Sequence, residues 1–339
     1  MSGSFTQNDG IEMLSVLVVG GAGYIGSHMV KLLGQNDCRV VTIDNLSSGY
    51  RDAVIYGDFV QGDIGDIEFL REVFMSHHFD VVMHFASFIQ VGESVREPAK
   101  YYQNNVANTL NLLLIMKEFN VNKFVFSSSA AIFGEPENEL IDETHSKRPL
   151  NPYGRSKLMV EQILGDYAKG HNLNSISLRY FNAAGADPEG ELGERHCPET
   201  HLIPLVLQVA SKRRSSIAIF GNDYDTPDGT CIRDYVHVTD LCSAHWLAIK
   251  ALMNGSGGYQ AFNLGSGNGF SVREVIDAAK KITGQSITTS FESRRDGDPA
   301  RLVADSKCAK SALGWEPRFE QLNDIISHAW NWEKKISSI

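Results

Sequence analysis

The chain has 339 residues, 42% of them hydrophobic and 21% charged, enough to bury a full core arranged as two lobes. Its 31 basic and 41 acidic residues leave a net charge near −10, which argues against nucleic acid as a partner and leaves any phosphate to a few local donors. Five cysteines in no paired spacing suit a reducing cytoplasm, and no apolar run approaches the roughly 18–20 residues that a membrane span needs. The polar start, 1–12, has no signal-peptide core and is expected to be loosely ordered.

Leu14-Ser-Val-Leu-Val-Val19 predicts a short apolar strand that runs through Gly20-Gly-Ala-Gly-Tyr-Ile-Gly26 into a helix over 27–33. The loop reads as a dinucleotide cradle. Gly20 turns tightly, Gly23 lets backbone N–H groups approach a pyrophosphate and Gly26 lets the helix lie on the strand, with Tyr24 and Ile25 in the same cradle. A structural turn would use the same glycines, but the next strand, 39–44, narrows that choice. It ends at Asp44, 18 positions beyond Gly26, where a carboxylate accepts from the adenosine ribose and repels a 2′-phosphate; the cofactor is therefore read as NAD.

A third strand is expected over 58–64, with Asp63 either beside the adenine or in an ordinary strand-ending turn. A helix over 68–78, a doubly buried strand over 80–86, a long helical pattern over 97–120 and a strand over 123–127 follow, and Pro152 opens another helix. Strand and helix alternate throughout, which gives an α/β fold with a doubly wound, mostly parallel Rossmann sheet. After 182 the pattern changes to a Gly- and Pro-rich loop over 185–200, a helix over 202–212 and a strand over 216–221. A strand over 234–238, a helix over 239–253, a strand over 262–265, a helix over 271–283 with Ser271 as cap and Glu274 as its box partner, and a terminal helix over 322–335 complete the chain. The expected division is 1–182 for the cofactor domain and 183–339 for a smaller α/β substrate lobe, with the stretch near 230–265 returning to the large domain.

Ser127, Ser128 and Ser129 close a sheet strand, at the edge where open α/β sheets bind ligands, and Tyr153-Gly-Arg-Ser-Lys157 begins 24 residues after Ser129. Four positions apart on a helix, Tyr153 and Lys157 share a face, which permits a tyrosinate base. A free phenol titrates near 10, so such a base at pH 7 needs about 4 kcal/mol of help. An ammonium about 5 Å away supplies roughly 3 kcal/mol at an effective dielectric of 20, and an oxidised nicotinamide alongside supplies a second positive charge. Ser129 is placed to hydrogen-bond the same reacting oxygen. The plain alternative is a surface Tyr/Lys pair, which the glycine loop, Asp44 and the serine strand together outweigh.

With Gly20 to His28, Asp44-Asn-Leu46, Gly62-Asp-Ile64, His84-Phe-Ala86, Asn104-Asn-Val106, Ser127-Ser-Ser-Ala130, Asn151-Pro-Tyr-Gly154 and Arg179-Tyr-Phe-Asn182 in this order, the chain resembles the extended short-chain dehydrogenase/reductases, most closely their UDP-glucose (galactose) 4-epimerase branch. Ile219-Phe-Gly-Asn-Asp-Tyr224, Arg233-Asp-Tyr-Val-His237 and Arg294-Arg-x-Gly-Asp298 extend the resemblance into the second lobe. It implies that Asp44, Asn45, Ser47, Asp63, Ile64, Phe85 and Ala86 line the NAD site, with Asn105, Tyr153, Lys157 and Phe181 around its nicotinamide half. It also implies a UDP-sugar held by Asn182, His201, Leu202, Phe220, Arg233, Arg295, Asp298 and Leu302, with Ser129 and Tyr153 at the sugar. A homodimer through the helices over 97–120 and 152–169 is implied as well.

Three positions depart from the branch's usual pattern: Ile89 replaces a frequent lysine, His201 a common asparagine, and Leu302 a tyrosine or small residue. The implied reaction inverts sugar carbon 4 through a 4-keto intermediate on resident NAD. A nucleotide-sugar 4,6-dehydratase would need an acid and a base where this chain has Ala130 and Ala131. A silent NAD-binding regulator of the same fold is the remaining rival, against which the Ser129, Tyr153 and Lys157 set argues. His77, His78, His196, Cys197 and His201 match none of the usual zinc spacings, so no metal is expected.

Overall fold

Short apolar runs buried on both faces build the centre of the molecule as a parallel sheet. In the computed structural model, which describes residues 13–295 and 298–337, β1 (Ser15–Val19), α1 (Tyr24–Gln35), β2 (Arg39–Asp44), β3 (Asp58–Gln61), α2 (Ile67–Ser76) and β4 (Val81–His84) form the first half of that sheet and its first helices. The second half contains α3 (Val91–Arg96), α4 (Pro98–Tyr102), α5 (Asn108–Glu118), β5 (Lys123–Ser129), α6 (Pro152–His171) and β6 (Asn174–Tyr180). Beyond it lie β7 (Asn182–Ala184), α7 (Leu202–Ala210), β8 (Ile217–Phe220), β9 (Ile232–Arg233), β10 (Tyr235–His237), α8 (Val238–Met253) and β11 (Tyr259–Leu264). The chain closes with β12 (Phe270–Ser271), α9 (Val272–Thr283), β13 (Thr289–Glu292), β14 (Arg301–Leu302), α10 (Lys307–Leu313) and α11 (Leu322–Ser337). The start, 1–12, lies outside the described residues.

Seven strands form one sheet in the order β11-β6-β5-β4-β1-β2-β3, all neighbours parallel, so the sheet is doubly wound. Met29, Val30 and Leu33 of α1 pack with Leu241, Ala248 and Ile249 of α8 on one face. On the other face Leu70 and Phe74 of α2, Leu112 of α5, and Val160 and Leu164 of α6 form the second core layer. Strand order reverses between β1 and β4, which opens the crevice where ligands of such sheets bind. A smaller core of α7, β8, α9 and α11 forms the second lobe, while α8 and β11 lie on the large sheet. Among the described residues no helix is long and apolar enough to cross a membrane.

Several elements differ from expectation, each for a local reason. The helical pattern expected over 97–120 is broken: Pro98, with no N–H to give, separates α3 from α4, and a π turn at Gln103–Ala107 precedes α5. The third strand stops at Gln61, which leaves Asp63 and Ile64 in the turn beyond it. The strand expected over 234–238 forms as β10, and a second short strand, β9, precedes it; the chain changes sheets at Asp234 between them, β9 pairing with β12 and β14 and β10 with β7. The Asp234 carboxylate turns inward and accepts from the N–H groups of Ser266, Gly267 and Ala304. β5 runs two residues beyond the range 123–127, to Ser129, so all three serines close the strand as expected. β6, β7, β9, β12, β13, β14, α3 and α10 had no counterpart in the sequence reading. The cap and box of α9 form with Ser271 and Glu274 in both directions.

Candidate active site

The cradle is made largely by backbone. Gly20 has φ +81°, and a Cβ there would stand 2.4 Å from the Ala86 nitrogen; on Gly26 it would stand 2.2 Å from the Gly20 carbonyl oxygen. Both must be glycine for β1, β4 and α1 to meet. Gly23 has no such packing need, since the nearest atom to a Cβ there is the Gly20 oxygen at 3.4 Å. A side chain on Gly23 would instead fill the space over the start of α1. That helix has no side-chain cap and no acid in its first turn, so its free N–H groups and dipole are left for an anion. The site fits a dinucleotide pyrophosphate on these grounds.

Around the cradle, acids and amides brace the loops. Asp44 Oδ2 accepts from Ala22 N at 3.0 Å and Oδ1 from Leu46 N at 2.8 Å, which ties the second strand end to the glycine loop. Asn45 Nδ2 donates to Asp63 Oδ2 at 2.7 Å, and Asn45 Oδ1 accepts from the exposed Ser47 N at 2.9 Å. Phe85 and Ala86 follow β4 at the crevice, while Ile64 is buried in the core beneath. Asn105, in the π turn, is 2% exposed and holds both the N–H and the carbonyl of Phe88, so it shapes this wall from behind.

At the end of β5, the structure brings Ser129, Tyr153 and Lys157 together. Asn151 caps α6 by accepting from Gly154 N at 2.9 Å, which fixes the first turn that carries Tyr153. Lys157 is buried, donates to Ser87 Oγ at 2.7 Å and to the Ser127 carbonyl at 2.8 Å, and lies 5.9 Å from the Tyr153 ring centre. Burial holds its ammonium down at about 7. Burial raises the Tyr153 phenol, and a hydrogen bond with Ser129 opposes that rise. The ammonium-assisted tyrosinate is therefore not established by the protein alone: Lys157 is close to losing its charge, and desolvation dominates at the phenol.

The sequence reading gave no bracing role to the side chains behind this set. Glu161, one turn after Lys157, accepts from Ser128 Oγ at 2.6 Å and takes Arg179 in a two-pronged pair at 2.9 and 2.7 Å. Ser87 and Ser127 supply the acceptors for Lys157. A buried lysine must find such acceptors, and Glu161 lies four positions along the same helix face; those were the available signals.

The second lobe closes the crevice. Asn182 follows β6, and its Nδ2 donates to the Asp234 carbonyl at 3.0 Å. Arg233 pairs with Asp298, and the Arg295 guanidinium lies 4.0 Å over the Phe220 ring. Leu302 is in register with Arg233 and packs, with Phe181, against the cluster of Ala130, Ile132 and Phe133 that follows Ser129. Leu202 opens α7 behind His201. The imidazole of His201 is turned toward Glu194 and Glu199, at 2.7 and 3.2 Å. Burial would lower that imidazole, and the two carboxylates reverse the effect and raise it. His196 joins the same group, whereas the exposed Cys197 does not, and neither do His77 and His78.

The NAD dependent epimerase/dehydratase family model matches residues 16–265. The UDP-glucose 4-epimerase of Halalkalibacterium halodurans is 49% identical over 322 residues, which span 95% of this chain and 96% of the relative. A UDP-glucose 4-epimerase from Brucella ovis in complex with NAD superposes with a TM-score of 0.91 at 48% identity, covering 94% of this chain and 97% of the other. The enzyme from Bifidobacterium longum in complex with NAD+ and UDP gives 0.90 at 38% identity, over 95% and 98%.

Proposed function

We propose, from the premise that the chain belongs to the NAD dependent epimerase/dehydratase family, that it interconverts UDP-glucose and UDP-galactose by inverting sugar carbon 4. The reaction is NAD-dependent. Bound NAD supplies the hydride acceptor that takes the hydrogen from carbon 4 and gives it back, with no net oxidation. The cradle of Gly20, Gly23, Gly26, Asp44 and Asp63 holds the cofactor at the switch point of the sheet.

Tyr153 takes the proton from the 4-hydroxyl while Ser129 hydrogen-bonds the same oxygen, and a 4-keto sugar forms. Lys157, anchored on Ser87 and Ser127, fixes the helix face that carries Tyr153. Burial favours the neutral phenol, so its proton leaves only when positive charge stands beside it, and the nicotinamide end of the cradle is where that charge belongs. The sugar swings about its link to the diphosphate, and Tyr153 returns the proton as the opposite face is reduced. Arg233 and Arg295 suit the diphosphate, Asp298 a ribose hydroxyl, and Phe220 a flat base.

The observation that carries this reading is the convergence of Ser129, Tyr153 and Lys157 at the crevice, with alanine at both 130 and 131 where elimination of water needs acid and base. Purified protein should carry NAD and turn over UDP-galactose with none added. A 4-keto-6-deoxy product would select the dehydratase reading, and a need for stoichiometric NAD would select a dehydrogenase.

Weaker use of the N-acetylated UDP-hexoses belongs to the same reading, because Leu302 is smaller than a tyrosine ring. So does a homodimer through α5 and α6, where Leu114 and Met159 stand 50% and 40% exposed. Leu114→Asp with Met159→Asp should then run as a monomer in light scattering. Five free thiols suit a reducing cytoplasm.

A further inference from the structure

We propose that Glu194, His196, Glu199 and His201 form a four-ligand zinc(II) site that fastens the segment before α7. The cluster lies apart from Ser129, Tyr153 and Lys157, gives His201 a different partner from the sugar that the resemblance implied, and departs from the expectation of no metal because its two glutamates were not among the residues weighed there. One ligand atom from each of the four side chains lies within 4.8 Å of every other. His201 Nδ1 is 2.7 Å from Glu194 Oε1 and 3.2 Å from Glu199 Oε1; His196 Nδ1 is 3.0 Å from Glu194 Oε1 and 3.8 Å from Glu199 Oε2. Ligands on a tetrahedral zinc, at about 2.0–2.2 Å from the ion, stand about 3.3–3.6 Å apart. The observed spacings bracket that value, so small side-chain shifts complete the site.

The donor set selects the ion class. Two imidazole nitrogens disfavour calcium and magnesium, which take oxygen, and two carboxylates with two imidazoles leave a divalent ion neutral and four-coordinate. Both glutamate side chains are 6% exposed, so their charges need a cation at close range. The imidazoles are 18% and 40% exposed, which leaves a path for the ion to enter. All four positions are filled by protein, so the ion serves structure rather than chemistry.

Its place in the fold gives it a purpose. The segment from Gly185 to His201 is irregular, and it leans on the cofactor domain: Tyr24 donates to the Gly185 carbonyl at 2.7 Å and packs edge-on to His196, with ring centres 6.5 Å apart. Arg195 pairs with Asp52 at 2.7 Å, and Trp332 Nε1 donates to the Glu194 carbonyl at 3.1 Å. An ion at the cluster would lock the segment between the glycine loop and the start of α7, and fix the backbone that leads into Leu202.

The test is zinc binding by the NAD-loaded protein, first stripped with a chelator and then titrated with ZnCl2. One equivalent per chain is expected, with cobalt(II) in its place giving the strong visible bands of a tetrahedral nitrogen and oxygen site. Magnesium and calcium should not compete. His196→Gln and Glu199→Gln should each weaken zinc binding by roughly 100-fold or more, while Cys197→Ser and His77→Gln leave it unchanged. Retained NAD shows that the variants are folded. Should they fail to fold, the wild-type cobalt spectrum decides, since sulfur charge-transfer bands or an octahedral spectrum overturn the site. Uptake no greater than that of a protein carrying both His196→Gln and Glu199→Gln, or uptake lost with Cys197→Ser, overturns it as well; the cluster would then be held by hydrogen bonds and ion pairs among its own side chains.

Discussion

The cofactor cradle and the face proposed for the substrate are built in different ways. The cradle comes from one continuous stretch, β1 to β4, and its polar contacts end mostly on backbone: Asp44 on Ala22 and Leu46, Asn45 on Ser47, Asp63 on Gly65. The proposed substrate face draws on the ends of β8, β9 and β14 and the segment after β13, and its charged contacts include side chain to side chain pairs, Arg233 with Asp298 and Arg295 over Phe220. A backbone-made site keeps its shape before a ligand arrives. A site of paired side chains must give up one partner to take another, so ligand charge competes with protein charge there.

The largest expected effect lies at the seam between the two regions. Tyr153→Phe should lower kcat by about 10²- to 10⁴-fold, while NAD content and the KM for UDP-galactose stay near wild type. Near-normal turnover would remove Tyr153 as the base.

Gly26→Ala attacks the cradle through its backbone. A methyl group would stand 2.2 Å from the Gly20 oxygen, and overpacking of about 1–3 kcal/mol should cut NAD retention by roughly 5- to 150-fold. The measurement is NAD per chain after gel filtration, and full retention would show that the loop yields. On the substrate face, Arg233→Ala should raise KM by roughly tenfold, with kcat changed far less, because part of what Arg233 offers the ligand is taken from Asp298. A fall in NAD content in this variant would mean that the two regions are not separable.

Leu302→Tyr should lower kcat/KM for UDP-N-acetylgalactosamine several-fold relative to UDP-galactose, at most the roughly 150-fold that overpacking allows, and Leu302→Cys should raise it. An unchanged ratio in both variants would take Leu302 off the sugar wall. The smallest effect is in stability against pH. Burial lowers Lys157 from 10.5 to about 7. Between those values the unfolded chain binds the extra proton, so the residue's penalty is full below pH about 7 and is relieved as pH rises through that window. Lys157→Met should flatten that rise, as read by urea unfolding at fixed NAD; an identical slope in both proteins would contradict it.

The sequence by itself determined the large domain and its cofactor. The signals there are local: strand, glycine loop and helix are contiguous from Ser15 to Gln35, and Asp44 follows at a fixed spacing. A parallel strand buried on both faces is also apolar throughout, so it shows in a short window. The cap of α9 was legible for the same reason, since its two partners are three residues apart.

Only the tertiary structure decided what depends on distant partners. The short strand β9 and the sheet change at Asp234 depend on Ser266, Gly267 and Ala304, whose N–H groups lie far along the chain and donate to the Asp234 carboxylate. The π turn at Asn105 answers to Phe88, and Lys157 to Ser87 and Ser127. The pairing of His196 and His201 with two glutamates came from an irregular loop whose ligand spacing follows no secondary-structure period. Burial raises the Tyr153 phenol and lowers the Lys157 ammonium, and burial is a property of the packed fold rather than of residue spacing.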